Sequence, residues 1–218
     1  MFYRLFIDEG KRKKYAYGIL LNDYPVQRIN CGVCNRVWDK DMLLTLKPEF
    51  ELVLSNDNLP DFLGLLILDL ISEKTKQVFE ESEITGYKLF KTNCLKKDEI
   101  SKEKLKSLAE DGFNKNKISN LVQNYYFLDV SIGAELDSKT EIIVQEYCNS
   151  CGYVKYRTEG KTFIDPAHPI YIKKASWNGN DIFRIKELGN TIFCTQKIVD
   201  LCKEHKLMGI GFEKINFC

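Results

Sequence analysis

Apolar and polar positions fall along this chain in a pattern that occurs twice. Near the start, "FYRLFI" (2–7) and "YAYGILL" (15–21) read as strands, with Gly10 and a basic turn between them. Past the middle, "YYFLDVSI" (125–132) and "EIIVQEY" (141–147) have the same character. Two other segments have helical spacing. Residues 72–82 set Val78 and Phe79 on one face with Ile71, and residues 195–205 do the same with Ile198, Leu201, Cys202 and His205. Each begins with a candidate N-cap, Ser72 or Thr195, whose hydroxyl can accept a bond from an otherwise unpaired first-turn amide. Each stops just before a glycine, Gly86 or Gly209, that opens a further strand.

Setting residues 71–91 over 194–214 pairs Lys74 with Lys197, Glu81 with Glu204, Gly86 with Gly209 and Lys91 with Lys214. Apolar character agrees at Val78 and Leu201, Ile84 and Leu207, Leu89 and Phe212. Such identities are few, and the order of elements carries more weight: extended segment, paired cysteines, strand, helix, glycine, strand, twice over. The expectation is an α+β protein of two related halves, an internal duplication, with residues 1–94 and 121–218 as the halves. Between them, residues 95–120 ("LKKDEISKEKLKSLAEDGFNKNKISN") show helical spacing at Ile100, Leu105 and Leu108 and read as a solvated connecting helix. Asp98, Glu99, Glu103, Glu110 and Asp111 are interspersed with its lysines, which argues against a basic stripe for nucleic acid.

At 218 residues the chain is long enough to bury a proper core. Its 32 basic and 31 acidic residues nearly cancel, so no global charge draws it to nucleic acid or to an anionic membrane. The first residues mix charges with apolar positions, unlike a signal peptide, and the longest apolar run, Phe62–Leu68, is interrupted by Gly64 and too short to span a bilayer. A cytoplasmic location is expected. There, eight cysteines point to metal or free thiols in preference to disulfides.

Four of the eight are paired: Cys31 with Cys34 in "CGVC" and Cys148 with Cys151 in "CNSC". A CxxC turn directs both sulfurs to one side, and two such turns face to face complete the four-thiolate tetrahedron of a structural zinc. After each pair stands a residue able to adopt left-handed geometry, Asn35 or Gly152. A redox CxxC would instead open a helix behind a strand, which Arg36–Trp38 does not resemble. The expected cofactor is one structural zinc on Cys31, Cys34, Cys148 and Cys151, in a ribbon split between the halves. Cys194 and Cys202 lie at apolar positions and read as inert core thiols.

The two CxxC pairs, together with "SWNGNDIFRI" (176–185) and "IVDLCKEHKLMGIGFEKI" (198–215), resemble the double-CXXCG motif immunity proteins of bacterial toxin and immunity systems. On that resemblance, Cys31, Cys34, Cys148 and Cys151 match the motif cysteines and Gly152 the glycine after the second pair, while Asn35 stands where the first glycine is expected. The resemblance implies a cytoplasmic protein that binds and neutralises a cognate toxin and performs no chemistry of its own.

Other residues weigh less. His168 and Asp165 in "DPAHP" have no evident nucleophile beside them, and two prolines make a stiff loop the simpler reading. His205, near a helix C-terminus, reads as structural. Trp177, with Asn178 and Asp181, is a candidate partner-binding patch, although Trp177 would serve equally as a core cap. The alternative function is a zinc-ribbon nucleic-acid-binding regulator, disfavoured by the balanced charge; a thiol oxidoreductase is disfavoured because zinc would passivate all four thiolates.

Overall fold

The structure is a computed structural model and describes residues 1–8, 14–22, 26–41, 50–65, 68–110, 112–114, 116–140, 143–157, 170–189 and 191–217. His168, its flanking prolines, Asp165, Gly10, Cys218 and the first residues of the 141–147 strand lie outside these. Mixed helix and sheet make the fold α+β, with three α-helices among the described residues: α1 (Glu73–Glu81), α2 (Lys102–Glu110) and α3 (Gln196–Glu204). No helix among them is long and apolar enough to cross a membrane.

Two larger sheets organise the molecule. One has the order Ile132–Ala134, Ile182–Ile185, Ile192–Thr195, Phe2–Ile7, Ile210–Lys214; the other has Phe62–Leu65, Leu68–Ser72, Tyr125–Val130, Tyr87–Lys91. Each contains a strand pair that leads into a helix, and the strand after the helix returns to the same sheet. Between that pair and the returning strand a foreign strand is inserted. Phe2–Ile7 lies between Ile192–Thr195 and Ile210–Lys214, and Tyr125–Val130 lies between Leu68–Ser72 and Tyr87–Lys91. The opening strand of each half of the chain thus completes the sheet of the other half. The registers correspond as well: Phe2 faces Thr195 as Tyr125 faces Ser72, and Leu5 faces Phe212 as Leu128 faces Leu89, a constant difference of 123 in residue number (125 less 2, 195 less 72, 212 less 89).

The helices begin and end as their sequences suggest, with one exception. Ser72 caps α1, its hydroxyl accepting from the Thr75 amide. Thr195 stands at the N-cap of α3 without a side-chain cap bond, and its hydroxyl donates to Asp181. Both helices close through a left-handed residue, Glu83 at φ 51° and Lys206 at φ 51°, and both following glycines have positive φ, 100° at Gly86 and 83° at Gly209. Neither glycine has room for a side chain. A Cβ on Gly86 would lie 1.9 Å from the Ile182 carbonyl oxygen, and one on Gly209 would lie 2.4 Å from that of Phe62.

These close approaches join one half to the other. Asp61 accepts from Ser72 Oγ at 3.0 Å and from the Met208 amide at 2.9 Å; Asp181 accepts from Thr195 Oγ1 at 3.3 Å and from the Thr85 amide at 3.2 Å. Beneath them lies a central core that draws on both sheets and both helices, including Phe62, Ile71, Phe79 and Leu128 from one side and Leu5, Ile182, Cys194 and Ile198 from the other. Separate clusters cover the remaining faces.

The 95–120 segment is anchored at a few apolar positions. Its helix is nine residues long, and Ile100, Leu108 and Ile118 are buried with Ile19 and Val53. The rest of the segment is mostly solvated, with Lys106, Ser107, Ala109 and Glu110 exposed. Leu108 is the one buried residue of the helix itself, and Ile100 and Ile118 anchor the chain before and after it.

Candidate metal centre

Cys31 ends the strand Val26–Cys31, which pairs with Arg36–Asp41 in register from Cys31 opposite Arg36 to Val26 opposite Asp41. Residues 32–35 form the turn, and Asn35, at φ 53°, takes the left-handed conformation that lets the chain reverse directly after Cys34. The second hairpin pairs Ile143–Tyr147 with Val154–Arg157, and its turn holds Cys148 and Cys151. There the Gly152 amide donates to the Cys148 carbonyl at 2.8 Å, and Gly152 has φ 73°. Sequence reasoning placed left-handed residues at both positions.

The two turns face each other. Cys31 Sγ lies 3.8 Å from Cys148 Sγ, Cys34 Sγ lies 3.9 Å from Cys151 Sγ, and all four sulfurs fall within 4.8 Å of one another. A tetrahedral zinc with Zn–S bonds of about 2.3 Å separates its sulfurs by about 3.8 Å, so the cluster fits a four-thiolate metal ion with little movement. Cys31 and Cys148 are buried and Cys34 and Cys151 half-buried, so one pair seals the cluster and the other lies toward its edge.

Local backbone prepares the thiols for that charge. The amides of Cys34 and Val33 point at Cys31 and pull its thiol down to about 6. Those of Cys151 and Ser150 lower Cys148 in the same way. In the ion's absence, Cys34 is pushed up to about 12, first by burial and then by the neighbouring sulfurs. Thiols that repel each other's negative charge are suited to sharing a divalent cation, which relieves the repulsion as the protons leave.

Side chains also join the hairpins. Arg36, beside Cys34, forms an ion pair with Glu146 and sets its guanidinium 5.0 Å from the centre of the Tyr153 ring. Around these contacts Val33, Val37, Val144 and Tyr147 are exposed, Val33 at 73% and Tyr147 at 62%.

The other candidates occupy different places. Trp177 is half-buried against Phe2, ring centres 4.8 Å apart, and its indole N–H donates to the Asn180 carbonyl at 2.9 Å. Asn178 is exposed, with its amide donating to Gly133 O. Asp181 binds Thr85, Thr195 and Lys197 internally. None of the three belongs to the cysteine cluster. Cys194 and Cys202 are buried, and burial pushes both thiols up, Cys202 to about 12, which suits inert core residues. His205 forms the C-cap of α3, its amide donating to the Leu201 carbonyl.

Sequence reasoning passed over Asp69. It lies in the strand Leu68–Ser72 within an otherwise apolar stretch and lines a cavity of about 830 Å³. Its signal was a single acid inside "LILDLIS". No protein-family model matches the chain, and no curated protein sequence matches it.

Proposed function

We propose that this protein is an immunity protein: a two-half scaffold, arisen by internal duplication and joined by one structural zinc on Cys31, Cys34, Cys148 and Cys151, that binds a cognate toxin and neutralises it. The observation that carries the reading is the four-sulfur cluster, built from the two CxxC pairs on which the resemblance to double-CXXCG immunity proteins rests. Its sulfur spacings suit zinc. The repeated order of elements, the matching registers and the exchange of opening strands support the duplication.

Zinc in this place acts on structure. With four thiolate ligands it has no open position for water or substrate, so its work is to hold two hairpins from opposite halves in one geometry. Those hairpins carry Val33, Val37, Val144 and Tyr147 to solvent, where exposed apolar side chains around a rigid support are suited to a protein partner. A neutraliser that leaves little toxin free needs nanomolar binding, about 12 kcal/mol, and a rigid platform reduces the entropy cost of reaching it.

The test is co-expression with the toxin encoded beside this chain. Cells should survive that toxin and remain sensitive to unrelated ones, and the two proteins should co-purify. Protein prepared without chelator should contain about one zinc per chain. Cys31→Ser and Cys148→Ser should lose the metal and the protection together, whereas Tyr147→Ala should keep the metal and weaken the complex at least about tenfold, or 1.4 kcal/mol. Failure of rescue with both proteins soluble would reject the immunity reading, and metal-free protein would reject the zinc.

A further inference from the structure

The two sheets differ at one pair of corresponding positions. In the strand pair Phe62–Leu65 and Leu68–Ser72, Gly64 stands opposite Asp69; in the pair Ile182–Ile185 and Ile192–Thr195, Arg184 stands opposite Ile192. Arg184 spans from its own sheet to the other, donating from Nε to the Val130 carbonyl at 2.6 Å and from Nη2 to Asp129 at 2.9 Å. Gly64 occupies the corresponding place against Ile7, the counterpart of Val130: a Cβ built on it would meet Ile7 carbons at 3.8 Å and 3.9 Å. One half therefore fills this position with a guanidinium, and the other leaves it without a side chain.

The space so left is part of the cavity of about 830 Å³, lined by Ile7, Gly64 and Asp69 and walled further out by Tyr15, Tyr17 and Phe113. Its size is that of small-molecule sites, which are mostly apolar with a few placed polar groups. Asp69 is such a group. Its carboxylate makes no hydrogen bond or ion pair among the described residues, and the residue is half-buried at the cavity wall. Burial holds that carboxyl up at about 6, against the pull of the Arg184 guanidinium. An unpartnered acid that has lost part of its water is costly to a fold, and the cost is offset when a cation binds it. Lys14, Lys117 and Asp8 also line the cavity, but all three are exposed, and their charges have water to turn to.

We propose that this cavity is a binding site for a small organic cation, a guanidinium or ammonium group on an aromatic or aliphatic body, with the charged end on Asp69 in the space over Gly64 and the body against Tyr15, Tyr17 and Phe113. The chemistry follows from the acid without a partner and from the arginine that fills the equivalent position in the other sheet. The site is independent of the cysteine cluster and of the toxin reading.

Three ligands with one ring and different charge test it on the full metal-bound chain: benzamidinium, benzamide and benzoate, followed by protein-observed NMR. Benzamidinium should bind at least about tenfold more tightly than benzamide, with benzoate weakest. Asp69→Asn should bring benzamidinium and benzamide to within about twofold of each other. Gly64→Arg supplies the missing guanidinium from the chain itself, at a position whose backbone and space admit a side chain, and should abolish benzamidinium binding while the fold is retained. Absence of saturable benzamidinium binding to the folded wild type would overturn the proposal. So would a preference for the cation that survives either Asp69→Asn or Gly64→Arg in folded protein.

Discussion

Asp69 gives the protein a pH dependence that other carboxylates would not. Its folded value is raised from 3.8 to about 6 by burial, so the folded state holds this proton more tightly than the unfolded chain does. Below about pH 4 there is little penalty; between about 4 and 6 the unfolded chain gives up this proton while the folded state keeps it, so stability falls, and the loss is complete above 6. The difference between the two values corresponds to about 3 kcal/mol at most. Asp69→Asn should therefore be more stable than wild type at pH 7 and nearly equal to it at pH 4, in denaturant titrations at both values. Equal stability at pH 7 would mean that the charge is already compensated. Other residues were legible from sequence alone. The CxxC spacing identified four sulfurs that meet across the fold, and Asn35 and Gly152 were recognisable as left-handed because few other residues take positive φ without strain. Asp69 was overlooked because an acid between apolar residues has the same sequence signature whether it faces water or a cavity.

Among elements, the tightest constraint lies at the two glycines after α1 and α3. Both combine positive φ with a backbone carbonyl oxygen far inside van der Waals contact of any added carbon, so Gly86→Ala and Gly209→Ala must displace a strand of the other half. Each should cost about 3 kcal/mol or more, while Gly179→Ala, at φ 92° but with open space around it, should cost about 1–2 kcal/mol. Thermal unfolding of the three variants decides the point, and equal losses would show that only the dihedral matters. Helix positions were readable because their 3.6-residue period and capping residues are local signals. That Thr195 stands at the N-cap without a cap bond was not readable, since its residue type is that of a capping residue. The anchoring of the 95–120 segment was not readable either: lysine and glutamate dominate its composition, while Ile100, Leu108 and Ile118, of which Leu108 alone lies in α2, are its buried apolar positions.

At the scale of the whole molecule, strand periodicity tells which face of a strand is buried and says nothing of which strand lies beside it. The exchange of Phe2–Ile7 and Tyr125–Val130 between sheets was accordingly invisible in the sequence, although the recurring order of elements was not. Neither half can close its sheet alone. Chains 1–112 and 113–218, cut in the exposed turn after α2, should each fail to unfold cooperatively when expressed singly and should co-purify as a metal-bound pair when expressed together. A cooperative transition in either piece alone would show that the exchanged strand is dispensable. The exchange also sets a timetable for synthesis. Tyr125–Val130 emerges after both of its neighbours have been made, so its sheet has all its strands partway through translation. Phe2–Ile7 is made long before its partners, which begin at Ile192. At about 5–20 residues per second, that strand waits roughly 10–40 s on the ribosome with its apolar side chains unpaired. For that interval the nascent chain offers chaperones, or neighbouring nascent chains, an open strand.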